Sequence, residues 1–188
     1  MSYNMEYICI YCGSSDRSGT VYRDAAVEFA ETLCDRDIGL IYGGATSGVM
    51  GTLADAVLDS GGTVTGVIPE TLLDVEEPHP GLTELITTPT KDERKQRMAE
   101  LADGFVALPG GIGTQEEILT SLGQAKHGRH EKPCGFLNVN GYYDSLVSFF
   151  DNATNEGFVT EEQRDLLLIA ETPDELFDLF DNYQSPVL

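Results

Sequence analysis

The chain contains no tryptophan, only four lysines, and eleven basic residues against thirty-two acids in 188 residues. The formal net charge is −21. Such a surface repels nucleic-acid backbones and anionic membrane faces, so neither is expected as a partner. Long apolar runs are also missing. No stretch approaches the ~20 residues of a membrane-spanning helix, and no basic-then-apolar leader precedes the first strand-like segment. The chain therefore reads as soluble and cytoplasmic. Acid-rich, lysine-poor surfaces suit a salt-rich cytoplasm in which screening removes self-repulsion, and a halophilic adaptation is the expectation.

Cysteine is scarce: Cys9, Cys12, Cys34 and Cys134 are the four present. Cys9 and Cys12 have C-x-x-C spacing, but they lie in the strand-like run Tyr7-Ile8-Cys9-Ile10-Tyr11-Cys12, where residues three apart face opposite sides. A redox pair would need a helix N-terminus, and zinc would need more ligands. Buried structural thiols in a reducing compartment are expected. No pair among His79, His127 and His130 has metal-ligand spacing, so no metal is expected and no histidine is given a catalytic role. Two nucleotide motifs are absent as well. The first turn, Gly13-Ser14-Ser15-Asp16-Arg17-Ser18-Gly19, lacks G-x-G-x-x-G, and the second strand ends in Tyr42-Gly43 without an acid for a ribose diol. There is no G-x-x-x-x-G-K-[ST] loop, which argues against hydride transfer and phosphate-loop NTPase activity.

What is present is an alternation of apolar β-type runs with helix-period segments. Strands are predicted over 7–12, 38–42, 63–68, 83–88, 104–108, 134–139 and 167–170. Between the first two, Tyr22, Ala26, Phe29 and Leu33 recur at helical spacing as one buried stripe. Further helices are predicted over 48–60, 91–102, 114–127, 142–156 and 173–182. Nearly continuous apolar strands imply a parallel sheet covered on both faces. Together these predict a single doubly wound α/β domain over residues 1–188, mostly parallel, with helices on both faces. The stretch 72–81, which includes Glu76, is the least regular.

The bases are unevenly placed. From Lys91 to Lys132 there are seven bases and seven acids, whereas the remainder carries four bases and twenty-five acids. This neutral island is where an anionic substrate would bind. Ordinary helix-face pairing, such as Glu93 with Arg97, is the alternative explanation.

Three glycine-rich turns follow strands: Gly13-Ser14-Ser15, Gly43-Gly44-Ala45-Thr46-Ser47-Gly48, and Pro109-Gly110-Gly111-Ile112-Gly113-Thr114. In a parallel sheet all three lie at the carboxyl edge, where such folds bind ligands. Each leads towards a helix start, whose free amides and dipole attract phosphate. One such turn means little, since tight turns need glycine anyway, but three point to a nucleotide-phosphate site.

The run Pro109-Gly110-Gly111-Ile112-Gly113-Thr114-Gln115-Glu116-Glu117 matches P-G-G-x-G-T-x-x-E, and the chain resembles the Lonely Guy family on it. The resemblance extends to Cys12-Gly13-Ser14-Ser15, Gly66-Val67-Ile68-Pro69, Arg94-Lys95 with Met98, His130-Glu131-Lys132-Pro133, and Asn138-Val139-Asn140-Gly141-Tyr142-Tyr143. It implies a Rossmann-like fold and a homodimer without metal or organic cofactor. The implied activity is hydrolysis of nucleoside 5′-monophosphates, AMP or N6-substituted AMP, to free base and ribose 5-phosphate. The catalytic positions it implies are Arg94 and Glu117, and its ligand contacts fall on Glu76, Lys95 and the stretch from Gly111 to Glu117, including Gly113, Thr114 and Glu116. With Gly110 and the earlier turns, represented by Gly13, Ser14, Gly43 and Gly44, these make up the expected site.

The chemistry fits those roles. Breaking an N-glycosidic bond builds positive charge on ribose, which a carboxylate such as Glu117 can stabilise while helping to activate water. Arg94 can clamp phosphate bidentately, and Gly111 and Gly113 let backbone amides approach it. Each residue also has a plain structural reading. Thr114-x-x-Glu117 is an S/T-x-x-E capping box, Arg94 and Lys95 fit a solvated helix face, and Glu76 fits a surface acid. The chain departs from the family pattern at Lys91-Asp92 and at Gly123-Gln124-Ala125-Lys126-His127-Gly128, near the base or the partner subunit. A non-catalytic nucleotide or molybdenum-cofactor carrier of related fold is the rival reading. An older lysine decarboxylase label finds no pyridoxal-phosphate site to support it.

Overall fold

The apolar β-type runs become strands in the computed structural model, which describes residues 5–73 and 77–186. Seven strands, β1 (Tyr7–Tyr11), β2 (Gly39–Tyr42), β3 (Val64–Pro69), β4 (Glu84–Thr88), β5 (Gly104–Ala107), β6 (Cys134–Leu137) and β7 (Leu167–Ala170), form one sheet. Every pairing is parallel and the order is β4-β3-β2-β1-β5-β6-β7. The chain adds strands outward from β1 to β4, then returns to β1's other side with β5. That reversal places a crevice at the carboxyl ends of β1 and β5, where ligands bind in such sheets.

Side chains alternate across the sheet, and two cores result. Ile8, Ile10 and Cys12 pack with α1 (Thr20–Asp35), α2 (Gly48–Asp59) and α7 (Pro173–Asp181) through Phe29, Leu33, Leu53 and Phe177. Cys9 and Tyr11 face the other way, towards α3 (Lys91–Leu101) and α4 (Ile112–Lys126) through Met98, Ile118 and Leu122. Each fully buried Ile, Leu or Phe contributes about 1.5–3 kcal/mol, so both layers are held firmly to the sheet. The C-x-x-C cysteines thus sit in different cores, as the strand reading requires, and all four thiols are free. Burial pushes the Cys9 thiol up to about 12 and raises Cys12 and Cys134 further, so these thiols are inert.

All seven predicted strands are present. The α-helices agree to within a few residues, with α5 at Asp144–Asn155 and one α-helical addition, the short α6 (Glu161–Arg164). Short 3-10 turns at Glu70–Leu72 and Val139–Gly141 are also new, the second ending the strand predicted over 134–139 at Leu137. A Thr160–Gln163 capping box starts α6, a signal the sequence carried in Thr160-Glu161-Glu162-Gln163. No helix among the described residues is long and apolar enough to cross a membrane.

Candidate active site

The third glycine turn leads directly into α4. Gly111 is the N-cap of that helix and offers no side-chain cap. Among the described residues, no acceptor takes the amides of Ile112, Gly113 and Thr114. A Cβ at Gly111 or Gly113 would meet nothing within 4 Å, so neighbouring protein atoms do not demand glycine at either position. Their bareness leaves backbone amides open to a ligand. Gly110 differs, because a Cβ there would stand 2.1 Å from Thr114 Oγ1 and 2.9 Å from the Gly13 nitrogen.

The expectation that all three turns present free helix-start amides fails at α2. The Gly48 amide donates to Asp16 Oδ1 at 3.0 Å, and those of Val49 and Met50 donate to the Gly13 carbonyl at 2.9 and 3.2 Å. The protein itself caps this helix, which ties the first two turns together, whereas the α4 start stays open into the cleft.

Two helices bring the charged pair together. Thr90 caps α3 by accepting from the Glu93 amide, and Met98, fully buried, anchors the inner face. Arg94 lies one turn before Met98 and so points inward as well. On α4 the buried stripe Thr114, Ile118, Ser121, Leu122 and Ala125 carries Glu117 with it. Arg94 Nη1 lies 3.0 Å from Glu117 Oε1, and the two side chains are only 15% and 14% exposed. Arg94 Nε donates to the Val67 carbonyl at 2.8 Å. A Cβ at Gly43 would come within 2.5 Å of Arg94 Nη2, so glycine there makes room for the guanidinium. The guanidinium is therefore only partly free for the phosphate clamp expected of Arg94. A buried guanidinium must satisfy its donors, and Nε and Nη1 are committed to protein oxygens.

The capping-box reading is overturned. The helix begins at Ile112, so Thr114 is its third residue and not its N-cap, and Glu117 bonds Arg94. Burial raises the Glu117 carboxyl above its ordinary value, outweighing the opposing pull of Arg94. Glu117 is thus a stronger proton acceptor than a surface carboxylate.

Gly13, Ser14, Gly43, Arg94, Gly111, Gly113, Thr114 and Glu117 all line one cleft of about 300 Å³ at the switch point. Ala45 of the second turn lines it too, as do Met50 and Leu72, apolar positions that no motif signals. Gly44, at φ 83°, packs against Ile68 and does not line the cleft. Gly110 lies on the neighbouring side with Tyr142. Lys95 bonds Glu116 and Asp92, and it lines a separate cleft of about 660 Å³ between α3 and α4. That bond raises Lys95 above its ordinary value. Glu76 lies outside the described residues. Arg97 pairs with Glu100 and not with Glu93, whose carboxylate meets Thr90, so the neutral island is partly internal pairing after all. His130 accepts from the Lys132 amide at Nδ1, which makes Nε2 the donor to the Ser121 carbonyl, and burial lowers its pKa. That neutral, doubly bonded ring is structural. No group of three or more metal-ligating side chains occurs among the described residues.

Residues 50–180 match the family described as "possible lysine decarboxylase". The chain is 44% identical to a cytokinin riboside 5′-monophosphate phosphoribohydrolase of Arabidopsis thaliana, covering 94% of this chain and 83% of that one. It is equally 44% identical to one from Oryza sativa subsp. japonica, over 94% and 73% of the two chains. The molybdenum cofactor carrier protein of Chlamydomonas reinhardtii superposes with a TM-score of 0.69 over 92% and 93%, at 22% identity. That last likeness is one of fold alone.

Proposed function

The chain belongs to the Lonely Guy family, and on that footing we propose that it hydrolyses the N-glycosidic bond of a purine nucleoside 5′-monophosphate. The substrates are AMP or N6-substituted AMP, and the products are free base and ribose 5-phosphate. The observation that carries this reading is the buried Arg94–Glu117 pair in the same cleft as the bare glycine amides of the α4 start.

In this reading the open amides and the α4 dipole receive the 5′-phosphate. The ribose then lies over Glu117. As the bond from anomeric carbon to base nitrogen breaks, its electron pair leaves with the base and positive charge grows on the sugar. The Glu117 carboxylate stabilises that charge and accepts a proton from the water whose oxygen bonds the anomeric carbon; the departing base nitrogen takes a proton from solvent, to which Glu117 then releases its own. Arg94 holds the carboxylate in place and ionised. Its phosphate contact falls to Nη2 beside Gly43. Incubation with AMP followed by chromatography for adenine tests the proposal: release of adenine supports it, and intact AMP with a bound nucleotide supports a carrier instead.

We further infer a homodimer acting in the cytoplasm as one domain over residues 1–188. The four free, largely buried thiols support a reducing compartment. A monomer in light scattering that is still fully active would refute the dimer.

A further inference from the structure

We propose that Tyr142 is a positioning residue for the substrate phosphate, its hydroxyl setting the Gly110–Gly111 peptide so that the Gly111 amide faces the cleft. The inference rests on the nucleotide reading of that cleft.

The loop Leu108-Pro109-Gly110-Gly111 has two adjacent glycines, and little in its own backbone holds one orientation. The structure supplies the restraint from outside. Three successive carbonyls are each taken by a donor from another part of the chain. Tyr143 Oη donates to Leu108 at 2.8 Å, the Gly13 amide to Pro109 at 3.1 Å, and Tyr142 Oη to Gly110 at 2.7 Å. In a trans peptide the carbonyl and the following N–H point in opposite directions. Drawing the Gly110 carbonyl towards Tyr142 therefore turns the Gly111 N–H away from it. Gly111 borders both the 300 Å³ cleft and the neighbouring one, and Tyr142 lines the neighbouring one alone.

Tyr142 is itself well placed. Its ring packs edge-on against Tyr22 at 5.5 Å and Tyr143 at 5.0 Å. Those contacts survive removal of the hydroxyl. The residue is 41% exposed, so water can solvate a released Gly110 carbonyl and the fold loses little. What is lost is preorganisation: the Gly111 amide must then be ordered at the expense of phosphate affinity.

The test compares the unmodified protein with Tyr142→Phe. Inorganic phosphate is titrated while the Gly111 and Gly113 amide signals are followed by NMR, and AMP and adenosine kinetics and melting are measured alongside. The expected result is about five- to tenfold weaker phosphate binding, the loss of one modest hydrogen bond's worth of ordering. KM for AMP rises by a similar factor with kcat nearly constant, while adenosine turnover and melting do not change. Equal phosphate affinity in the two proteins overturns the inference, as does an equal loss on AMP and adenosine. An unmodified protein whose Gly111 amide ignores phosphate overturns it too. A protein that binds phosphate but leaves AMP intact defeats the hydrolase reading alone, and the role of Tyr142 is then decided by the two affinities.

Discussion

Arg94 of α3 and Glu117 of α4 meet at 3.0 Å beneath a cleft whose rim is the bare start of α4. The pair is held from behind by the Val67 carbonyl and from the side by the space that Gly43 leaves. Three segments that the sequence shows separately thus converge on one guanidinium.

Replacing Arg94 tests what that guanidinium does for Glu117. Burial already raises the Glu117 carboxyl, and Arg94 is the main influence pulling it down. If ionised Glu117 is required, kcat/KM falls on the acid side as pH drops through this raised pKa. Arg94→Gln removes the downward pull, so the acid limb of the residual activity should move to higher pH. A loss of about 100-fold in kcat/KM and a destabilisation of about 3–5 kcal/mol from the orphaned carboxylate should accompany it. An acid limb that stays in place would remove Glu117 as the titrating group.

The glycines of the third turn should separate cleanly. Gly110→Ala forces a Cβ against Thr114 and Gly13, and its melting temperature should fall by several degrees. Gly113→Ala meets no protein atom, so melting should hold while KM for AMP rises about tenfold as the methyl crowds the phosphate. Thermal melts and AMP kinetics on the two variants check this. Matching effects from both would show that the cleft does not read phosphate through these amides.

The charge of −21 gives a third expectation. If it is a halophilic adaptation, the thermal midpoint should rise markedly from low to molar potassium chloride as self-repulsion is screened. A midpoint flat or falling with salt would contradict it.

Most of the fold was legible because buried parallel strands are short apolar runs bounded by turn residues, and β1, β2 and β5 show this plainly. The edge strand β4 was legible despite its exposed Glu84 and Leu85, from its β-branched run alone. The site was legible by residue type and family resemblance more than by geometry. Nothing in the spacing of Arg94 and Glu117 says that two helices bring them together. The Thr114-x-x-Glu117 pattern suggested a cap because the sequence does not reveal that the helix starts two residues earlier, at Ile112. Lys95 and Glu116 each adjoin a residue of the pair, yet they lie on the next face of their helices and close on each other instead. Gly44 was grouped with Gly43, but its left-handed backbone turns it towards Ile68.

The central claim is that Glu117 acts on the substrate and does not merely balance Arg94. Glu117→Gln keeps the shape and can still accept a hydrogen bond from Arg94 through its amide oxygen. It removes the negative charge that would stabilise the ribosyl cation and accept the proton from water. AMP cleavage by this variant, with AMP binding measured in parallel, tests the claim most directly. The account predicts retained AMP binding and a loss of adenine release on the order of a hundredfold or more. Adenine release at the rate of the unmodified protein would contradict it.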